Sequence, residues 1–155
     1  MEKIELSYKS AFTTITPEKP VYLSGYGGSG PFISISDDLE INIILIKQQN
    51  HQFCFISADL LFLSKEFCSL ASKKLCLPRE NIFMGSTHTH SAPGIDKTKQ
   101  KLGKVDNNYC KFVLKKLSHT IDLLNKKNPE LVTITHSSTI LKGSISRRKK
   151  SIIFT

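Results

Sequence analysis

The chain has 155 residues, 39% hydrophobic and 8% aromatic, with 22 Lys and Arg against 13 Asp and Glu for a net charge of +9. That is the size of one ordinary domain, residues 1–155, with a single core, and no apolar run approaches the roughly 20 residues that span a bilayer. The first ten residues, "MEKIELSYKS", place charges where an export signal needs an apolar run, so the sequence as it stands is expected in the cytoplasm.

Residues 4–8 and 21–24 read as short strands separated by "ITPEKP", a turn with two prolines. "GYGGSG" (25–30) matches G-x-G-x-x-G, but a dinucleotide fingerprint must open a helix, and here Pro31 and "FISIS" follow. What remains is a glycine loop in which backbone can approach a ligand closely. Residues 39–47 and 52–58 are two β-rich runs joined by "QQNH", a hairpin whose strands are apolar enough to be mostly buried. A helix is predicted over 64–76, with Ser64 as N-cap and Phe67, Leu70, Ala71 and Leu75 on one face. "LPRE" ends it, and 81–86 is a strand running into "THTHSAPG". Residues 95–105 read as a lysine-rich loop. A longer helix follows from Asp106 to about Lys127, with Tyr109, Val113, Leu117, Thr120 and Leu124 along one stripe, and 130–136 is a last strand. This order predicts an α/β fold, mixed sheets flanked by helices. The ending "SIIFT" is strand-like with nothing to pair with, so truncation is expected.

The four cysteines, Cys54, Cys68, Cys76 and Cys110, form no C-x-x-C pair and are expected as small core residues or free thiols in a reducing compartment. Lysines 97, 99, 101 and 104 and "RRKK" at 147–150 are the basic clusters. Such clusters suit anionic lipid, phosphate or nucleic acid, or simply keep a domain soluble.

His88 and His90 stand one residue apart. On an extended strand, i and i+2 share a face with Cβ atoms about 6.5–7 Å apart. Two imidazoles so placed can reach one metal, or one can bind metal while the other meets a substrate, or both can serve as hydrogen-bonding groups in a turn. A catalytic zinc site needs three protein ligands plus an open position, and this pair supplies two at most. His51, His119 and His136 are the remaining histidines, and Asp59 ends a buried strand, where carboxylates of α/β sites are often found.

"LSGYGG", "ISADLLFLS" and "LPRENIFMGSTHTHSAPG", in that order and at those intervals, together resemble the N-terminal catalytic domain of the neutral/alkaline, non-lysosomal ceramidases across residues 10–95. The resemblance implies that His88 is a zinc ligand and that His90 lies beside the substrate amide. It implies that Gly25 lines the active site and that Arg147, in "SISRR", contacts the substrate region. Asp59 is expected in a supporting position, orienting a histidine. The implied reaction is hydrolysis of the amide of an N-acyl sphingoid base, with zinc polarising the carbonyl and activating water, and neighbouring donors stabilising the oxyanion. Ala92 and Ser146 stand where the family has glycine and asparagine. The family's other zinc ligands (a histidine, a glutamate and a tyrosine) and its active-site serine lie beyond the region covered. The expectation is therefore a partial domain with an incomplete zinc site, which a downstream chain would complete.

Two other readings stand beside it. The chain could be a non-enzymatic basic module binding an anionic membrane surface or nucleic acid, although it carries no specific nucleic-acid motif. Alternatively, His136 or a cysteine could join His88 and Asp59 in a smaller metal site.

Overall fold

A computed structural model describes residues 6–25, 30–135 and 137–140 of the protein. Five strands, β1 (Leu6–Thr14), β2 (Glu40–Gln48), β3 (His51–Ala58), β4 (Ile82–Ser86) and β5 (Glu130–Val132), form one sheet in the order β4-β3-β2-β1-β5. β3 and β4 run parallel and every other pair is antiparallel. Parallel pairing requires a crossover, and α1 (Lys65–Leu75) supplies it. α2 (Asn107–Lys126) follows a 3-10 segment, Lys97–Leu102. The architecture is the expected α/β, a mixed sheet flanked by helices.

Alternation along the strands decides which face is covered. Ala11, Ile41, Ile43, Cys54, Ile56, Ala58 and Ile82 point to one side, and Phe67 and Ala71 of α1 with Val113, Leu117, Ile121 and Leu124 of α2 pack against them. The predicted helix faces are the buried ones. Ser64 caps α1 by accepting from the Phe67 N–H at 3.2 Å, and Asp106 caps α2 by accepting from the Tyr109 N–H at 2.8 Å. The Tyr109 hydroxyl then donates to the Ile15 carbonyl at 3.0 Å, fixing α2 against the exit of β1.

The other side of the sheet differs from the sequence reading. β2 and β3 are buried on one face only; Phe12 (67%), Ile44 (42%), Phe55 (42%) and Phe83 (55%) stay exposed, with Phe55 and Phe83 stacked at 5.1 Å. Their apolar composition signals burial but does not reveal that a single helical layer covers this sheet. β1 is also longer than residues 4–8, because its polar-looking half pairs with β2 as far as Thr14↔Glu40. Residues 21–24 make only isolated bridges, Tyr22↔Pro31 and Leu23↔Pro93, so they are a strapped loop and not a strand. β5 stops at Val132 because its pairing along the described part of β1 ends at Leu6↔Val132.

All four cysteines are free thiols: Cys54 and Cys110 are buried, Cys68 is half-buried, and Cys76 is exposed at the C-cap of α1 with a left-handed φ of 53°. Burial pushes the Cys54 thiol up to about 12 and raises Cys110 as well. Because the thiolate is the reactive form, a thiol-labelling titration of the folded chain at neutral pH is expected to modify Cys76 first and Cys54 only on unfolding. Equal rates at the two positions would contradict this packing.

Candidate functional site

The site is built where the parallel strands β3 and β4 end side by side. Ligand sites of open α/β sheets commonly lie outside the carboxyl ends of such strands. The pairing extends one step past β4, the Thr87 N–H donating to the Ala58 carbonyl at 3.0 Å. After Ala58 the chain turns through Leu60 and Leu61, both buried, and aims the Leu61 carbonyl at the histidine motif. That carbonyl accepts from the Ser86 hydroxyl at 3.2 Å and from His88 Nδ1 at 3.0 Å. A carbonyl can only accept, so Nδ1 carries the hydrogen and the neutral ring presents its lone pair at Nε2. Metal-ligating histidines are commonly oriented by such a bond from the second ring nitrogen.

His88 does not lie on an extended strand. Its φ is 58°, in the left-handed region, so strand alternation cannot be what places the two imidazoles together. The rings nevertheless meet, with centroids 5.4 Å apart and planes at 67°, because the chain turns at His88. The Phe62 ring also meets His88, with centroids 5.0 Å apart and planes at 79°.

Gly25 and His90 are also brought together. A Cβ built on Gly25 would lie 2.3 Å from His90 Nδ1, and its φ is 110°. No residue with a side chain could bring backbone this close to the imidazole. The approach is held by the Leu23↔Pro93 bridge, by the Ser24 N–H donating to the Ala92 carbonyl at 2.9 Å, and by the Gly25 N–H donating to the Leu102 carbonyl at 2.6 Å. Ala92, where the resemblance calls for glycine, is fully buried in the core cluster.

Asp59 sits at the strand end as expected, but its recorded contact is different from the one proposed for it. Its carboxylate accepts from the Glu40 N–H at 3.0 Å, while the Leu61 carbonyl orients His88. With Thr89 and Ser91 of the motif, Asp59 lines an open cleft of about 570 Å³ that also includes Asp37 and Asp38. His51 and His119 are exposed and distant in sequence from the pair. Arg147, the rest of the 147–150 cluster and His136 lie outside the described residues. Among the described residues no three of His, Cys, Asp or Glu come together to hold a metal, so the smaller site of His88, Asp59 and a cysteine does not form. Leu61, Phe62, Lys99 and Leu102 are site residues that sequence reasoning did not single out. Contacts made by a carbonyl or by an unremarkable apolar ring leave no motif to read.

No family model matches the sequence, and no curated protein does. Solved structures do match. The neutral ceramidase of Pseudomonas aeruginosa aligns with a TM-score of 0.67 at 15% identity, over 85% of this chain and 23% of that one. A ceramidase complexed with C2 aligns at 0.60 and 14%, over 84% and 22%. The fold is ceramidase-like. The chain spans less than a quarter of the length of either neighbour. Among the described residues of this ceramidase-like fold, no helix is long and apolar enough to cross a membrane.

Gly25→Ala is expected to cost about 1–3 kcal/mol in urea unfolding and to displace the His90 ring signals in an NMR spectrum. Gly30→Ala, which meets nothing within 4 Å, should stay within about 0.5 kcal/mol. Equal costs at the two positions would remove the special role given to Gly25.

Proposed function

We propose that this chain carries part of the active site of a ceramidase-like, zinc-dependent amidohydrolase acting on the amide of an N-acyl sphingoid base. In this reading His88 is one metal ligand, His90 and Gly25 lie beside the substrate amide, and Arg147 contacts the substrate. The observation that supports it most is the Leu61 carbonyl on His88 Nδ1, which leaves Nε2 as the ligand atom on an exposed ring. The donor chemistry suits zinc at that one position. It falls short of three ligands among the described residues, so no reaction step can be assigned to a metal on these residues alone. The reading therefore calls for the remaining donors from polypeptide beyond what this chain shares with its neighbours, such as a separate chain completing the site.

What these residues can do by themselves is positioning. His90 packs against the Gly25 backbone and beside His88, and in this reading it is the imidazole that would hydrogen-bond the amide carbonyl. The substrate is a lipid, and contact with an anionic membrane surface belongs to the same proposal; the net charge of +9 favours it. The alternative, a basic module binding anionic lipid or nucleic acid, would draw on the lysine segment. Two of its four lysines, Lys99 and Lys104, stand over the rings of Phe62 and Tyr22 at 5.4 and 5.2 Å.

Titrating zinc into the chain while following histidine ¹⁵N signals tests the ligand assignment. His88 Nε2 should move first, and His88→Ala should weaken binding by roughly 10- to 100-fold or abolish it. Shifts confined to His51 or His119, or none at all, would refute His88 as a ligand.

A further inference from the structure

The segment from Asp96 to Gly103 reads from the sequence as a solvated, lysine-rich loop, yet it contacts a neighbour of each histidine, Phe62 beside His88 and Gly25 beside His90. Asp96 starts it by accepting from both the Thr98 N–H (2.9 Å) and the Thr98 hydroxyl (2.7 Å). A kink at Lys99, with φ −107° and ψ 28°, then places the Lys99 ammonium 5.4 Å above the centre of the Phe62 ring. At the far end, the Leu102 carbonyl holds the Gly25 N–H at 2.6 Å. The contacts close on themselves: Lys99 covers Phe62, Phe62 meets His88, His88 meets His90, and His90 packs against Gly25, which returns to Leu102.

We propose that Phe62 is a positioning residue for His88 and that the segment Lys97–Leu102 is the strap that holds both histidines in register. An imidazole has two side-chain torsions to fix. The bond from Nδ1 to the Leu61 carbonyl anchors one point of the ring, leaving rotation about the line through that point. The Phe62 and His90 rings, each steeply inclined to His88 with centroids 5.0 and 5.4 Å away, oppose that rotation. Leu61 and Phe62 are consecutive, so one short turn after β3 supplies both the anchor and the wall. Lys99 in turn stands over the Phe62 ring, a cation over an aromatic face, and His88 itself is exposed.

The inference takes the importance of the pair from the amidase reading, but its test needs neither metal nor substrate, so either can fail without the other. In the full chain, ¹⁵N-histidine spectra should show the neutral form of His88 almost wholly as the Nδ1–H tautomer. Phe62→Ala and Phe62→Leu should each raise the population of the other tautomer several-fold, and Phe62→Tyr should restore the original spectrum. Lys99→Met should move His88 in the same direction by less, while Lys101→Met, which removes the same charge from the same segment, should leave it unmoved. The three positions changed, Phe62, Lys99 and Lys101, carry partly or fully exposed side chains, and thermal unfolding of each of the five variants establishes that it is folded. A His88 signal unchanged in folded Phe62→Ala, or equal responses to Lys99→Met and Lys101→Met, would overturn the proposal.

Discussion

The Leu61 carbonyl accepts from Ser86 and His88 at once, and much of the site's geometry depends on that one oxygen. It ties the turn after β3 to the exit of β4, so the two parallel strands end in a common frame. It also selects the tautomer of the neutral His88 ring, with the hydrogen on Nδ1 and the lone pair on Nε2. Parallel pairing of β3 and β4 is what brings this oxygen within reach of a residue 27 positions away. That pairing in turn rests on the burial of α1, through Phe67 and Ala71, against the sheet. Core packing, strand order and the tautomer of a surface histidine are therefore links of one chain.

Much of this could be read in the sequence, and what could not has identifiable causes. The helices were readable because Ser64 and Asp106 are N-cap residues and because Val113, Leu117 and Leu124 recur at helical spacing. The hairpin was readable because its two runs flank a short polar turn. The single covered face was not, since Phe53, Phe55 and Ile44 are as apolar as residues that do meet a helix. The proximity of His88 and His90 was expected, but for the wrong local reason. A left-handed turn at His88, not strand alternation, brings the rings together. Gly25 against His90 joins positions 65 residues apart, and only the ceramidase resemblance pointed to both.

The likeness to solved ceramidases is a likeness of fold, at 15% and 14% identity, and it covers less than a quarter of each neighbour. What the described residues gather at the ends of β3 and β4 is one oriented imidazole, a second beside it, and a glycine that lets backbone approach. A metal site closed by three donors needs residues from more than one element, and the described residues hold no such group.

The bare side of the sheet has a consequence for the molecule as a colloid. Across β1 to β4 the positions pointing away from the helices include Tyr8, Phe12, Ile44, Phe55 and Phe83 but neither lysine nor arginine, although the chain carries 22 of them. Among the described residues this face mixes aromatic and aliphatic side chains with Ser10, Glu40, Asn42, Gln48 and Ser57, and the cationic side chains lie elsewhere. Mutual repulsion between copies comes from the charged side and is shortened by added salt, whereas attraction between aromatic faces is not. Such a molecule should disperse best in dilute buffer and crowd together as ionic strength rises, the reverse of a protein whose contacts are salt bridges.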